Sequence, residues 1–178
     1  NGCSATDTIH VNIQGVAPNV NFSAAYSCAG TVIQFTDSSG PVQIAHWDWD
    51  FGDLSPVDTA QNPTHIYLAA GIYPVTLTVK DTGGCSNDTT ILITAYPIPV
   101  AGYSYFQGLC NGDTVQFTDT STIVSGSITG WQWNFGDPPS GSNDTSTFQN
   151  PIHDFSVWGN YTVQLIVMSA HGCLDTVV

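Results

Sequence analysis

The chain has 178 residues and a formal net charge of −13, from a single lysine and 14 acidic residues that are all aspartate. A phosphate backbone is bound by several lysine or arginine side chains, so this composition excludes nucleic acid as a partner. No apolar run reaches the roughly 20 residues that a membrane-spanning helix needs, so membrane insertion is not expected. The 17 glycines and 10 prolines, with abundant Thr, Val and aromatic residues, favour strands joined by tight turns.

The first segment has the sequence of a closing strand. Asn1 to Ile13 (NGCSATDTIHVNI) matches Gly83 to Ala95 (GGCSNDTTILITA), which ends the first complete repeat. We therefore expect residues 1–16 to be the closing strand of a preceding module. An isolated edge strand is unstable in solvent, so it should pair with an upstream module or with another copy of the chain.

Two copies of one repeat follow. The matching segments, in chain order, are CAGTVIQFTDSS from Cys28 and CNGDTVQFTDTS from Cys110, WDWDFGD from Trp47 and WQWNFGD from Trp131, and NPTHIY from Asn62 and NPIHDF from Asn150. Equivalent residues lie 82 (Cys28 to Cys110) to 88 (Asn62 to Asn150) positions apart, which is the size of a small β-sandwich. The predicted modules are residues 17–97 and 98–178, and the second stops within its closing strand.

Alternating apolar and polar side chains predict the strands of each copy. In WDWDF, Trp47, Trp49 and Phe51 share one strand face, so we expect Trp49 and its counterpart Trp133 to fill the core. The glycine that follows in each copy permits the chain to bend out of the strand. About seven short strands per copy would form a two-sheet sandwich.

These ordered signatures, WDWDFGD, NPTHIY and GIYPVTLTV, resemble the central signature of polycystic kidney disease (PKD) domains. The resemblance implies an all-β chain of tandem immunoglobulin-like sandwiches from a bacterial secreted or cell-surface protein. It also implies an extracellular spacer, an adhesive surface or an accessory to a secreted enzyme. In the family's usual pattern glycine follows FGD, whereas Leu54 and Pro138 stand there in this chain, so an altered turn is expected.

No catalytic site is predicted. Asp48 and Asp50 have the spacing of a glycosidase pair, but Gln132 and Asn134 replace them in the second copy. We expect a non-catalytic structural or adhesive segment, such as a stalk, adhesin or fibre subunit, with neighbouring modules or other copies of the chain as partners. The alternative is a carbohydrate-binding accessory region of a secreted hydrolase, which would bind surface glycans.

The five cysteines recur at two positions of the repeat, which predicts one disulfide per module. Cys28 is expected to bond to Cys85 and Cys110 to Cys173, while Cys3 is expected to bond to a Cys28 equivalent outside the two modules. Zinc is not expected, because no CxxC pair occurs. Disulfides indicate an oxidising compartment, in agreement with an extracellular location.

Calcium is a candidate ligand, because some PKD-like modules bind this ion and three aspartates lie close together in a turn-rich segment. Asp50, Asp53 and Asp58 supply the hard carboxylate oxygens that Ca²⁺ prefers. The alternative is that these side chains are solvated turn residues. No other cofactor is expected.

Glycans are considered both as covalent modifications of this chain and as ligands that it binds. Four Asp-Thr-aliphatic tripeptides resemble an O-glycosylation signal of some bacteria with tandem PKD surface proteins, and their candidate acceptors are Thr8, Thr59, Thr114 and Thr176. The alternative is the common use of Asp-Thr in turns. Trp158 replaces Ala70 of the first copy, so the fold does not need it, and it is a candidate exposed contact.

Overall fold

The computed structural model describes residues 16–107 and 114–178 of the chain. These residues form fourteen strands and one 3₁₀-helical segment, which confirms the predicted all-β class. No helix in the two described ranges is long and apolar enough to cross a membrane. The predicted closing strand at residues 1–16 and its Cys3 lie outside the described ranges, except for the last residue of that segment.

Within the two described ranges, seven strands fall in each copy of the repeat. In the first copy they are β1 (Phe22–Ala24), β2 (Ser27–Cys28), β3 (Val32–Asp37), β4 (Ile44–Asp50), β5 (Thr64–Ile66), β6 (Gly71–Asp81) and β7 (Ser86–Tyr96). In the second copy they are β8 (Tyr103–Gln107), β9 (Thr114–Asp119), β10 (Ile128–Asn134), β11 (Thr145–Ser146), β12 (Ile152–Asp154), β13 (Gln164–Ser169) and β14 (Leu174–Val177). The 3₁₀-helical segment, Pro138–Asp144, lies between β10 and β11.

The strands of each copy form two sheets. The first copy has a sheet of order β1-β3-β5 and a sheet of order β2-β7-β6-β4, and the second has β12-β9-β8 and β11-β10-β13-β14. Equivalent strands keep the same register, since Phe22 is paired with Asp37 in β3 and Tyr103 with Asp119 in β9. Strand β2 is parallel to the end of β7, with Cys28 opposite Tyr96.

The described residues fall into two compact units that cut across the copies of the repeat. One unit holds residues 16–24, 34–63 and 74–91, and the other holds residues 25–33, 64–73, 92–107 and 114–178. The second unit therefore contains three pieces of the first copy, among them β2 and the end of β7.

Aromatic side chains from both sheets build the core of each copy. Trp49 and Trp133 are fully buried, as the alternation in the sequence predicts. In the first copy the Trp49 ring lies 5.0 Å from Phe22 and 5.6 Å from Phe35, both on the opposite sheet. In the second copy Trp133 packs in the same way, 5.4 Å from the ring of Phe117.

The turn after each FGD segment has a left-handed backbone. Gly52 has φ +75°, and a Cβ atom there would lie 2.7 Å from the carbonyl oxygen of Pro74, so glycine is required. Gly136 meets the same constraint. Leu54 is also left-handed, with φ 67°, and its side chain is fully exposed. The departure from the family pattern therefore leaves a strained leucine in the first copy, whereas Pro138 begins the 3₁₀-helical segment in the second.

We expect Leu54→Gly to raise the free energy of unfolding by roughly 0.5–1 kcal/mol. Left-handed backbone costs an L-residue about 1–2 kcal/mol, and the greater entropy of glycine in the unfolded chain offsets part of this gain. Urea denaturation followed by tryptophan fluorescence measures the change. Pro138→Gly is the matched control and should not stabilise the protein. An unchanged or lower stability of Leu54→Gly would contradict the assignment of strain to this turn.

Candidate functional site

One aspartate in each copy holds a partly buried tryptophan. The carboxylate of Asp37 accepts a hydrogen bond of 2.8 Å from Nε1 of Trp47 and one of 2.9 Å from the backbone N–H of Ser39. The second copy repeats both bonds at the same lengths with the equivalent residues Asp119, Trp131 and Ser121. Each of these carboxylates fixes a turn and an indole.

The NP dipeptide of each copy completes this arrangement. The side-chain oxygen of Asn62 accepts the backbone N–H of Asp37 at 2.9 Å, and the side-chain amide of Gln34 donates to the carbonyl of Pro63 at 2.9 Å. Asn150 accepts the N–H of the equivalent aspartate at 2.9 Å in the second copy. The recurrence of QFTD and NP in the sequence is therefore explained by hydrogen bonds between the two segments.

A buried carboxylate and imidazole lie together in the second copy. Asp137 is fully buried and His153 is 2% exposed, with 3.3 Å between the carboxylate and Nε2. Burial alone would raise the pKa of Asp137, but hydrogen bonds from the side chain and backbone of Ser156, and from His153, hold it below its usual value. The imidazole stacks on Phe135 at 4.2 Å. This pair links β12 to the turn after β10 in the interior of the second copy.

The candidate calcium ligands each close their own turn. Asp50 accepts the N–H of Gly52 at 2.9 Å, and Asp58 accepts the N–H of Ala60 at 2.8 Å. Asp53 accepts the N–H of Ser55 at 3.1 Å. Among the described residues, no three His, Cys, Asp or Glu side chains are grouped so that they could hold a metal ion. The structure therefore does not bring the three carboxylates together as a site.

The cysteine pairing predicted from the repeat is wrong in the described part of the chain. Cys28 bonds to Cys173, which is 145 residues away and belongs to the second copy, and Cys85 is a free thiol. Cys110 lies outside the described residues, but its predicted partner Cys173 is already bonded. The physical reason is the position of β2, which lies beside the end of β7 at Tyr96, whereas Cys85 precedes the start of β7. Eleven strand residues at about 3.3 Å each separate these two ends.

The candidate glycosylation sites that the structure describes are accessible. Thr59, Thr114 and Thr176 are exposed, and the hydroxyl of Thr114 donates to Asp154. Thr8 lies outside the described residues. Accessibility is a requirement for modification, and O-glycosylation of these threonines stays a prediction.

An aromatic groove of about 290 Å³ lies on the second copy. Trp158 is 85% exposed and Tyr105 is 67% exposed, so both side chains are largely open to solvent. The groove combines these and other aromatic rings with two side-chain amides, and the residues that matter below are Tyr103, Tyr105, Gln107, Trp158, Asn160 and Tyr161. Rings with adjacent amides can stack on and hydrogen-bond to a polar ligand.

The turn that carries Trp158 is tied down. The hydroxyl of Tyr161 donates to the carbonyl oxygen of Val157 at 2.6 Å and closes the turn. In the first copy Tyr73 makes the same bond to Ala69 at 2.8 Å, but Ala70 takes the place of the tryptophan. The fold therefore builds the same turn in both copies and adds the exposed indole only in the second.

Of the residues that line the groove, only Trp158 was predicted from the sequence as an exposed contact. Tyr105 and Phe106 are exposed in β8. The strand register places Ala24 of β1 at the position of Tyr105, and Ala25 follows it in the chain. Comparison of the two copies would have found this change of alanine to aromatic residues. Such a comparison requires that β1 be aligned with β8, although the two segments otherwise share little sequence.

A family model described as PKD domain matches residues 15–95 and again residues 96–178. Among curated proteins, the pre-pro-metalloprotease PrtV of Vibrio cholerae is 31% identical over 170 residues, which are 94% of this chain and 18% of PrtV. Collagenase ColA of Bacillus cereus is 34% identical over 90 residues, which are 48% of this chain and 9% of the collagenase. The chain thus spans less than a fifth of the length of these relatives.

Solved structures of single domains are also similar. The PKD1 domain of PrtV from Vibrio cholerae is 32% identical, with a TM-score of 0.40, over 45% of this chain and 98% of that domain. The PKD1 domain of Vibrio anguillarum Epp is 28% identical, with a TM-score of 0.42, over 46% of this chain and 96% of that domain. Each of these domains therefore matches about half of the chain.

We expect the folded state to lose stability below about pH 4. Burial alone would raise the pKa of Asp119, but hydrogen bonds from Ser121, Gln149 and Trp131 hold it below its usual value. The stabilisation is complete above the unfolded-state pKa of about 3.9 and is lost as the pH falls through the lower folded-state pKa. Urea midpoints measured between pH 7 and pH 2 test this expectation.

The matched variants are Asp119→Asn and Asp88→Asn, since Asp88 is exposed in β7. Asp119→Asn should be less stable by roughly 1–3 kcal/mol at pH 7, because hydrogen bonds to a charged acceptor are lost, and its stability should fall less steeply in acid. Asp88→Asn should follow the unmodified protein. Equal pH dependence in all three proteins would show that this carboxylate does not contribute.

Proposed function

Because the chain belongs to the PKD domain family, we propose that it is a non-catalytic structural segment of an extracellular bacterial protein. Its modules, residues 17–97 and 98–178, serve as a cross-linked spacer or accessory region next to other domains. A more specific form of this proposal is an adhesive or fibre-forming segment, whose partners are other modules or other copies of the chain.

The disulfide between Cys28 and Cys173 is the observation that carries this proposal. It joins the first copy of the repeat to the second and closes a loop with a sequence separation of 145 residues. In the chain-entropy model such a loop stabilises the folded state by about 5 kcal/mol. A cross-link of this kind supports mechanical continuity along the chain and has no part in a reaction.

The polar groups of the two copies support a structural role in a second way. The carboxylates of Asp37, Asp119 and Asp137 all accept hydrogen bonds from turns or from partly buried indoles. The tryptophan and turn contacts of the first two are the same in both copies.

An extracellular location is proposed on three grounds. Disulfides persist in oxidising compartments such as the periplasm and the cell exterior. The similar proteins include collagenases, whose named substrate lies outside cells. The many aspartates and the net charge of −13 suit a soluble segment at the cell surface.

We expect a non-reducing peptide map to contain Cys28 joined to Cys173, and Cys28→Ser/Cys173→Ser to lower the free energy of unfolding by about 5 kcal/mol. Cys85→Ser is the matched control, because it removes a free thiol and should leave the stability within about 0.5 kcal/mol. Chemical denaturation measures both variants. A peptide that joins Cys28 to Cys85, or a double variant as stable as the unmodified protein, would contradict the proposal.

The aromatic groove favours a second function, carbohydrate binding by the second copy. The side chains of Trp158 and Tyr105 are largely exposed, and the amides of Gln107 and Asn160 lie beside them. Ring faces pack against the C–H faces of sugars, and amides hydrogen-bond to hydroxyl groups. The bond from Tyr161 holds the turn in place, so a ligand need not order it on binding.

We expect the chain to bind an insoluble polysaccharide, tested with chitin and cellulose, and Trp158→Ala to weaken this binding at least tenfold. Phe148→Ala is the matched control, because Phe148 is 76% exposed but does not line the groove. A pull-down assay measures the bound fraction, with gelatin as the comparison for polypeptide binding. Binding to neither polysaccharide, or equal binding by both variants, would reject this function.

A further inference from the structure

The turn that carries Cys85 has the same hydrogen bonds as the turn that carries Cys173. In the first copy the N–H of Asp81 donates to the carbonyl of Cys85 at 2.9 Å, and the N–H of Gly84 donates to the carbonyl of Asp81 at 3.1 Å. In the second copy the N–H of Ser169 donates to the carbonyl of Cys173 at 2.8 Å, and the N–H of Gly172 donates to the carbonyl of Ser169 at 2.9 Å. The two cysteines are therefore presented by the same local structure.

The two cysteines differ in what covers them. Cys173 is 1% exposed and is bonded to Cys28, whereas Cys85 is only partly buried and is a free thiol. Gly83 and Gly84, which precede Cys85, are exposed and have no side chains, so the turn is open to the approach of another backbone. Cys85 of the first copy is thus the unbonded equivalent of Cys173, which forms a disulfide in the second copy.

Cys85 cannot reach the Cys28 of its own copy. Cys28 is paired with Tyr96 at the end of β7, and Cys85 lies immediately before the start of that eleven-residue strand. At about 3.3 Å per residue, the two ends of β7 are more than 30 Å apart. Two Cα atoms more than 7 Å apart cannot be bridged without movement of the backbone.

We propose that Cys85 forms a disulfide with a cysteine at the Cys28 position of another PKD repeat, one that precedes the first copy in a tandem array. Each copy of the repeat has an early cysteine, Cys28 or Cys110, and a late cysteine, Cys85 or Cys173. The observed bond joins the early cysteine of one repeat to the late cysteine of the next repeat along the chain. The same relation, moved back by one repeat, assigns Cys85 to the early cysteine of a preceding repeat. This inference rests on the proposed structural role, because it extends the cross-link from a pair of repeats to an array.

The formation of this bond is an oxidation by a disulfide compound such as oxidised glutathione. Two S–H bonds break and one S–S bond forms, so the two protein thiols lose two electrons and two protons. The oxidant accepts both and is reduced to two thiols. The contacts beside the existing bond indicate what the joined repeats would share, since Cys173 Sγ lies 4.0 Å from the carbonyl oxygen of Tyr96.

The test is a longer chain in which residues 17–97 are duplicated between Val16 and Ala17. The duplicate carries Thr31→Ser and Ser86→Thr as mass marks, so that its two cysteine peptides differ from those of the original first copy. The protein is refolded in a mixture of reduced and oxidised glutathione, digested with an aspartate-specific protease without reduction, and mapped by mass spectrometry.

We expect the early cysteine of the duplicate to be joined to the original Cys85, which should be at least tenfold less reactive toward a thiol reagent than in the unmodified chain. A bond between the two cysteines of the duplicate itself, or a free original Cys85, would overturn the inference. The same digest reports the bond between Cys28 and Cys173. Its absence would instead contradict the proposed function, so the two failures are distinguishable.

Discussion

A fully buried indole with one polar atom is the constraint on which each copy of this fold depends. The Nε1–H of Trp49 donates to the carbonyl of Ala60 at 2.9 Å, and that of Trp133 donates to the carbonyl of Phe148 at 2.9 Å. A buried donor without an acceptor would be strongly destabilising, so the chain must return to the same point of the core in both copies. The indole and the carbonyl are 11 positions apart in the first copy and 15 in the second, and the longer connection of the second copy contains the seven-residue 3₁₀-helical segment.

Much of the fold could be predicted because its determinants are local in sequence. Alternation placed Trp49 and Trp133 in the core, and the glycine after each FGD phenylalanine has the left-handed backbone that its position requires. The departure at Leu54 was also visible, although only the structure shows that the leucine keeps the left-handed conformation. These features depend on the alternation of side chains along a strand and on backbone sterics, and both can be predicted from the sequence alone.

The cysteine pairing and the groove could not be predicted in the same way, because both depend on non-local strand order. The cysteines recur at equivalent positions of the repeat, which suggested bonds within a module. The parallel pairing of β2 with the end of β7 instead places Cys28 far from Cys85, which precedes the start of β7. The three candidate calcium ligands are separate in the structure for a related reason. Proximity in sequence does not make carboxylates converge, and Asp50 and Asp58 each bind the backbone two residues later.

The bond between Cys28 and Cys173 also decides how the chain would carry a load. Tension applied outside this loop enters at one sulfur and leaves at the other, so it bypasses the strands between them. The sequence separation of 145 residues corresponds to roughly 500 Å of extended chain that a pull cannot release while the bond is intact. Extensibility is therefore set by a covalent bond and by the redox state of the surroundings, and reduction would convert a stiff link into a long, yielding one.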